Sequence, residues 1–192
     1  MPRIRKLAGA DWELLKSVRL EMLADTPMAY IESLASARRQ TDSQWQERAS
    51  AMSAADSVTW VADEGTAGSK LRALMRVVIK HPQTPDRPLQ AMLISVYVAP
   101  EYRGVGLADR LLQRSVVSAT EDLSAGILEL GVHQDNARAL AFYRRHGFHL
   151  TGASKPYPQD RSKLELTMER VLPRQGGSGD GLNEALEKAG TD

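Results

Sequence analysis

Apolar and basic side chains interleave over residues 3–7, where Ile4 and Leu7 sit among Arg3, Arg5 and Lys6, and this reads as a short edge strand. A period of three to four follows. Trp12, Leu15, Val18, Arg19, Met22 and Leu23 make one helical stripe, which Asp11 can cap and Thr26-Pro27 ends. Residues 28–40 are Ala-rich with no firm period and read as a loop with a helical turn; Asp42 or Ser43 then caps a second helix to about Met52. From Ser57 the period drops to two. Ser57 to Asp63 and Lys70 to Lys80 read as a hairpin turned at Gly65–Ser69, and Leu89 to Ala99 is a third strand stopped by Pro100. The helical period returns in Leu107, Leu111, Leu112, Val116 and Ala119, to about Asp122. Ile127 to Val132 is a strand. Asp135 caps a helix through Arg145, for which Gly147 serves as the C-cap, and Phe148–Ala153 and Lys163–Val171 close the pattern as strands joined across Pro156 and Pro158.

The order is strand, two helices, three strands, helix, strand, helix, two strands. It predicts a mixed α/β fold around one long sheet, without the regular alternation of a barrel or a doubly wound dinucleotide fold. The 192 residues suggest one domain, enough to bury a core unaided. We place it at residues 1–172, with a Gly/Ser-rich flexible tail over 173–192. The chain has no cysteine, which removes thiol nucleophiles and Cys-based metal sites and fits a reducing cytoplasm. The net charge of +1 gives no basic excess for coating nucleic acid or membrane. No apolar run approaches a membrane span, and the N-terminus lacks the apolar core of a signal peptide, so the chain is expected to be soluble.

The most informative stretch is LISVYVAPEYRGVGLADRLLQRSVV. A hydrophobic strand enters a short loop holding Arg103, Gly104, Val105 and Gly106, and a helix begins at once with Leu107, Ala108 and Asp109. Glycines let backbone approach a ligand, and the first N–H groups of a helix lack internal partners. With the helix dipole and the charge of Arg103 they suit a pyrophosphate; an ordinary tight strand-to-helix turn would look the same. A P-loop would need Gly-Lys-Ser/Thr where Gly106-Leu107-Ala108 stands. The dinucleotide fingerprint would need a small residue in place of Asp109.

About thirty residues on, LELGVHQDNARALAFYRRHGF sets Asn136, Ala139, Tyr143, Gly147 and Phe148 at fixed offsets after a strand. Together with the Arg-x-x-Gly-x-Ala pattern of Arg103, Gly106 and Ala108, the sequence resembles the GNAT N-acetyltransferase superfamily. The resemblance implies the acyl-CoA N-acyltransferase fold, a mixed, mostly antiparallel central sheet flanked by helices. It also implies that the glycine loop binds the pyrophosphate of acetyl-CoA, the co-substrate, with no metal. The backbone of Val96, Tyr97 and Val98 would pair with pantetheine, in a splay between that strand and the next. Asn136 lies seven residues from Tyr143, so the two share a helix face. Asn136 either bonds a pantetheine amide or merely caps its helix. Asp109 would repel phosphate, so its side chain is expected to point away.

The implied reaction is direct transfer of acetyl to a small-molecule or peptide amine in a ternary complex. Tyr143 matches the family's proton donor to the leaving thiolate; the alternative is a packed aromatic. Glu129, His133 and Glu32 are candidate bases, with a water chain equally open. Glu21, Asp25 and Glu32 either favour a cationic acceptor or form a solvated helix face. Two other classes stay open: a non-catalytic acyl-CoA-binding sensor or accessory module, and a nicotinamide oxidoreductase. GNAT proteins are often dimers, so a homodimer is an option that no stretch of the sequence decides.

Overall fold

A computed structural model describes residues 2–66 and 68–173; the expected tail lies outside them, apart from Pro173. The elements are β1 (Arg3–Lys6), α1 (Trp12–Asp25), α2 (Leu34–Arg38), α3 (Asp42–Ala51), β2 (Ser57–Asp63), β3 (Ala73–Ile79), β4 (Gln90–Val98), α4 (Leu107–Glu121), β5 (Ile127–His133), α5 (Ala137–Arg145), β6 (His149–Tyr157) and β7 (Asp160–Val171). One sheet has the order β1-β2-β3-β4-β5-β7-β6. Every pair is antiparallel except β4–β5. This is the mixed, mostly antiparallel sheet that the family resemblance implies.

Helices cover both faces. Leu107, Leu111 and Leu112 of α4, with Leu140 and Tyr143 of α5, pack on inward residues of β3, β4 and β5. On the other face Leu15, Val18 and Met22 of α1 and Trp45 of α3 pack against Val61, Leu74 and Tyr97. Burial on both faces of the sheet explains why β3 is an almost continuous apolar run, interrupted only by Arg76. No helix among the described residues is long and apolar enough to cross a membrane.

Several local expectations change. The cap of α3 is Thr41, one residue before the expected pair, because its hydroxyl and the Gln44 side chain exchange bonds with each other's backbone N–H. Asn136, not Asp135, caps α5: its Oδ1 accepts from Ala139 N–H at 3.0 Å, while Asp135 pairs with Lys163. Asp11 caps α1 by position only, since its carboxylate is taken by Arg5 and the Ala8 N–H. Pro156 lies inside β6 rather than in the connecting turn. β6 is an edge strand, where a residue without an N–H costs no ladder bond. The ambiguous segment 28–40 holds a single-turn helix at Pro27–Ala29 and the five-residue α2.

The feature that positions the site is a fault in β4. Arg76 faces Ile94, but Leu74 faces Tyr97, so β4 carries one extra residue there. Ser95 takes it up at φ 53°, a left-handed conformation uncommon for a residue with a side chain. The bulge bends β4 away from β5. Their pairing ends at Met92–Glu129, although β4 runs on to Val98 and β5 to His133. Beyond that point the sheet is open.

Candidate active site

The opening between β4 and β5 has backbone polarity on one wall. Ala99 N–H donates to Arg72 O across the β3 ladder at 2.8 Å. Ladder groups alternate in direction, so Tyr97 also faces β3, while Val96 and Val98 turn their N–H and C=O into the opening. This corrects the expectation for Tyr97, whose peptide groups are not free. Its ring is buried and its hydroxyl donates to Glu21 at 3.0 Å. Two of the facing carbonyls already have partners. Tyr30 Oη donates to Val96 O, and Arg103 Nε to Val98 O, both at 2.8 Å.

A cavity of about 690 Å³ runs from here along the start of α4 to α5. Gly104 and Gly106 line it at φ 79° and 77°; open space surrounds both, so it is the backbone conformation that calls for glycine. The first bond within α4 runs from Arg110 N–H to Gly106 O, which leaves the N–H groups of Leu107, Ala108 and Asp109 without helical partners. This is a fit for pyrophosphate oxygens. Leu107 contributes backbone alone, its side chain being buried in the core, and the exposed Val105 does not line the cavity. The Arg103 guanidinium, rather than reaching over the loop, pairs with Asp25 and ties the loop to the end of α1. Asp109 does turn aside: its carboxylate meets His146 Nε2 at 2.8 Å.

A second cavity of about 1010 Å³ opens on the far side. Its walls come from α1, the loop after it, α3, the bulge of β4, β5 and the β6–β7 hairpin. The hairpin tip closes over residues 27–30, with Tyr157 Oη donating to Met28 O and Gln159 to Pro27 O and Tyr30 O. Tyr30, Val96, Asn136 and Tyr143 line both cavities, so the two meet there. Tyr143 is 7% exposed. Burial, and then the neighbouring Tyr30, push its phenol above the usual range, so it stays protonated at neutral pH. No described residue hydrogen-bonds its hydroxyl.

Each of the three candidate bases is tied to a partner. Glu129 is held by Lys80 at 2.6 Å and does not line the second cavity. Glu32 accepts from Arg19, Arg48 and Gln40. Burial pushes its carboxyl up, but bonds and charge from Arg48 and then Arg19 outweigh this and hold it below its usual value. His133 lines the cavity, but its Nδ1 faces the Asp135 N–H at 3.2 Å, and its Nε2 is buried without a partner. An Nδ1 that accepts leaves the neutral ring's proton on Nε2, a donor. Of Glu21, Asp25 and Glu32 only Glu32 lines the second cavity, and arginines offset its charge, so these three do not form an acidic floor. Tyr30, Ser95 and Arg48 were not marked by any motif; their place depends on a bulge and on contacts far apart in the chain.

The acetyltransferase (GNAT) family model matches residues 18–148. A curated relative, the peptidyl-lysine N-acetyltransferase YjaB of Escherichia coli, is 32% identical over 85 residues, covering 38% of this chain. The chain spans about half of that relative's length, 54%. Among solved structures, yncA from Salmonella typhimurium, determined with its cofactor acetyl-CoA, superposes with a TM-score of 0.71 at 18% identity, over 94% of this chain and 99% of that one. The PaiA N-acetyltransferase of Thermoplasma acidophilum, in complex with coenzyme A, gives 0.63 at 20% identity, over 89% and 99%. At these identities the two structures speak for the fold.

Proposed function

The chain belongs to the acetyltransferase (GNAT) family, and from that premise we propose that residues 1–172 transfer an acetyl group from acetyl-CoA to an amine in a ternary complex. The observation that carries the reading is Tyr143: a buried hydroxyl, without a hydrogen-bond partner among the described residues, where the two cavities meet. The first cavity suits a cofactor held by backbone. Free N–H groups at Leu107, Ala108 and Asp109 take the pyrophosphate, and Val96 and Val98 pair with the pantetheine arm. Asn136, with Oδ1 engaged in capping, keeps its NH₂ for a pantetheine carbonyl. Acetyl-CoA, when bound, supplies the acetyl group and a thiolate leaving group.

The chain's part in the chemistry is then limited. A backbone N–H in the opening polarises the carbonyl oxygen. Tyr143 Oη holds the proton that the departing sulfur needs. A thiol of pKa on the order of 8–9 is a stronger acid than a phenol near about 10, so the phenol donates only as the C–S bond breaks and charge builds on sulfur, and it regains a proton, through water, from the attacking nitrogen as the amide forms. The amine loses its proton to water, because the carboxylates that line the second cavity are all engaged: Glu32 by arginines, Glu165 by Lys155 and Asp135 by Lys163. A purely packing role for Tyr143 would leave turnover intact in Tyr143→Phe. Free-thiol release from acetyl-CoA across a panel of amines, wild type against that variant, is the deciding experiment. Binding of acetyl-CoA without turnover of any amine would favour a sensor module instead.

A further inference from the structure

The second cavity has a corner with more positive charge than the chain cancels. Among the described residues Glu32 is the one carboxylate at this corner, and two guanidinium groups share it. Arg48 forks onto both oxygens at 2.9 and 2.8 Å, while Arg19 sets Nε at 2.9 Å and Nη2 at 2.8 Å from Oε2. Two cations on one anion leave one unit of charge. The other charged groups lining the cavity are paired elsewhere: Lys155 with Glu165 at 3.2 Å, and Asp135 with Lys163 at 2.7 Å.

Arg19 is no surface residue, at 7% exposure. A buried cation with half a counter-ion is costly. Its remaining nitrogen, Nη1, has only weak partners, Met22 Sδ at 3.6 Å and Ser95 Oγ at 3.5 Å. Both contacts are at the limit of a hydrogen bond, so Nη1 keeps the capacity to donate to a better acceptor. The guanidinium carbon lies 5.3 Å from the centre of the Tyr30 ring, whose hydroxyl bonds Val96 O where the two cavities meet. One tyrosine side chain therefore separates the spare cation from the reacting position.

We propose that this corner binds an oxyanion carried by the acceptor, and that the acceptors are amines with a carboxylate on the same carbon as the nitrogen or on the next, as in an amino acid. With one tyrosine side chain between Arg19 and Val96 O, the corner favours a carboxylate close to the nitrogen over one at the far end of a long chain. A polyamine would bring further positive charge against Arg19 and Arg48 and is disfavoured. This inference rests on the acetyltransferase reading above.

The test uses matched pairs, each an amino acid and its carboxamide, together with spermidine, with the full chain and saturating acetyl-CoA. Thiol release is expected to give kcat/KM at least tenfold higher for the acids than for the carboxamides. Arg48→Gln is expected to raise KM for the acids at least fivefold, leaving kcat, KM for the carboxamides and acetyl-CoA affinity within about twofold. A purely structural Arg48 would move both members of each pair together. If Arg48→Gln does not fold, acetate provides a second readout: it is expected to inhibit the wild type competitively against the amino acid, where chloride at equal ionic strength does not. Equal turnover of acids and carboxamides, or a preference for spermidine, overturns the inference and leaves acetyl transfer standing. Binding of acetyl-CoA by calorimetry with no thiol released by any amine overturns both.

Discussion

The two cavities that meet at Tyr143 are built from different materials. The cofactor side is mostly backbone: N–H groups at the start of α4, peptide groups of Val96 and Val98, and two glycines in left-handed conformation. Its elements, β4, the loop and α4, are contiguous in the chain. The acceptor side is mostly side chain, with Arg19, Tyr30, Glu32, Arg48 and Tyr157 arriving from segments scattered along the chain. A backbone wall tolerates changes of side chain but not of conformation. A side-chain wall behaves in the opposite way, and so is the part free to vary its specificity while the cofactor stays the same.

Tyr143 belongs to both walls, and its removal is expected to have the largest effect. Tyr143→Phe should keep the packing and lower kcat within the 10²–10⁴-fold range of general acid catalysis, with little change in acetyl-CoA affinity. Single-turnover kinetics reads the chemical step directly. A rate within about threefold of wild type would return Tyr143 to a packing role and move the proton to water.

The backbone wall is tested by conformation. Gly106→Val puts a β-branched residue at φ 77°, where no space is lacking but the left-handed geometry costs on the order of 1–2 kcal/mol. Acetyl-CoA affinity is expected to fall about tenfold, measured by calorimetry, with the acceptor KM unchanged. If the acceptor KM moves instead, the division between the walls fails.

The Arg103–Asp25 pair sharpens the same division. Charged hydrogen bonds of this kind are worth about 1.5–3 kcal/mol. If Arg103 holds the loop through Asp25, Arg103→Ala and Asp25→Asn should both weaken acetyl-CoA binding and lower Tm. If the guanidinium serves phosphate directly, Asp25→Asn should leave affinity unchanged or raise it. We expect the first pattern, with Arg103→Ala weakening binding about tenfold. The smallest effect is at Asp109, whose carboxylate sits in the first turn of α4 but is drawn to His146. Asp109→Asn should tighten acetyl-CoA binding a few-fold at low salt and not at high salt.

Acid stability probes the acceptor wall through Glu32. The Glu32 carboxyl is held below its usual 4.5 by Arg48 and Arg19 against the cost of burial. A group lowered in the fold contributes stability that is complete above about pH 5 and lost as pH falls through its folded value. Glu32→Gln should therefore flatten the loss of Tm between about pH 5 and 3.

Wherever an element is specified by residues adjacent in the chain, the pattern of the sequence sufficed. The stripe Leu107–Leu111–Leu112–Val116–Ala119 located α4 to within a residue, and Arg103-x-x-Gly106-x-Ala108 located the loop. Even there, competing local bonds moved a cap by one residue at Thr41 and at Asn136, since neighbouring polar side chains can all serve and only the packed backbone selects among them. The sequence by itself determined the strand–loop–helix junction at Arg103–Ala108, the position of Tyr143 seven residues beyond Asn136, and hence the family. Tertiary structure alone decided the left-handed Ser95, the parting of β4 from β5, the pairing of Arg103 with Asp25 and the charge of the acceptor corner. The physical reason is distance along the chain. Arg19, Glu32 and Arg48 lie on three segments that no local pattern links, and only packing turns them into two cations around one anion.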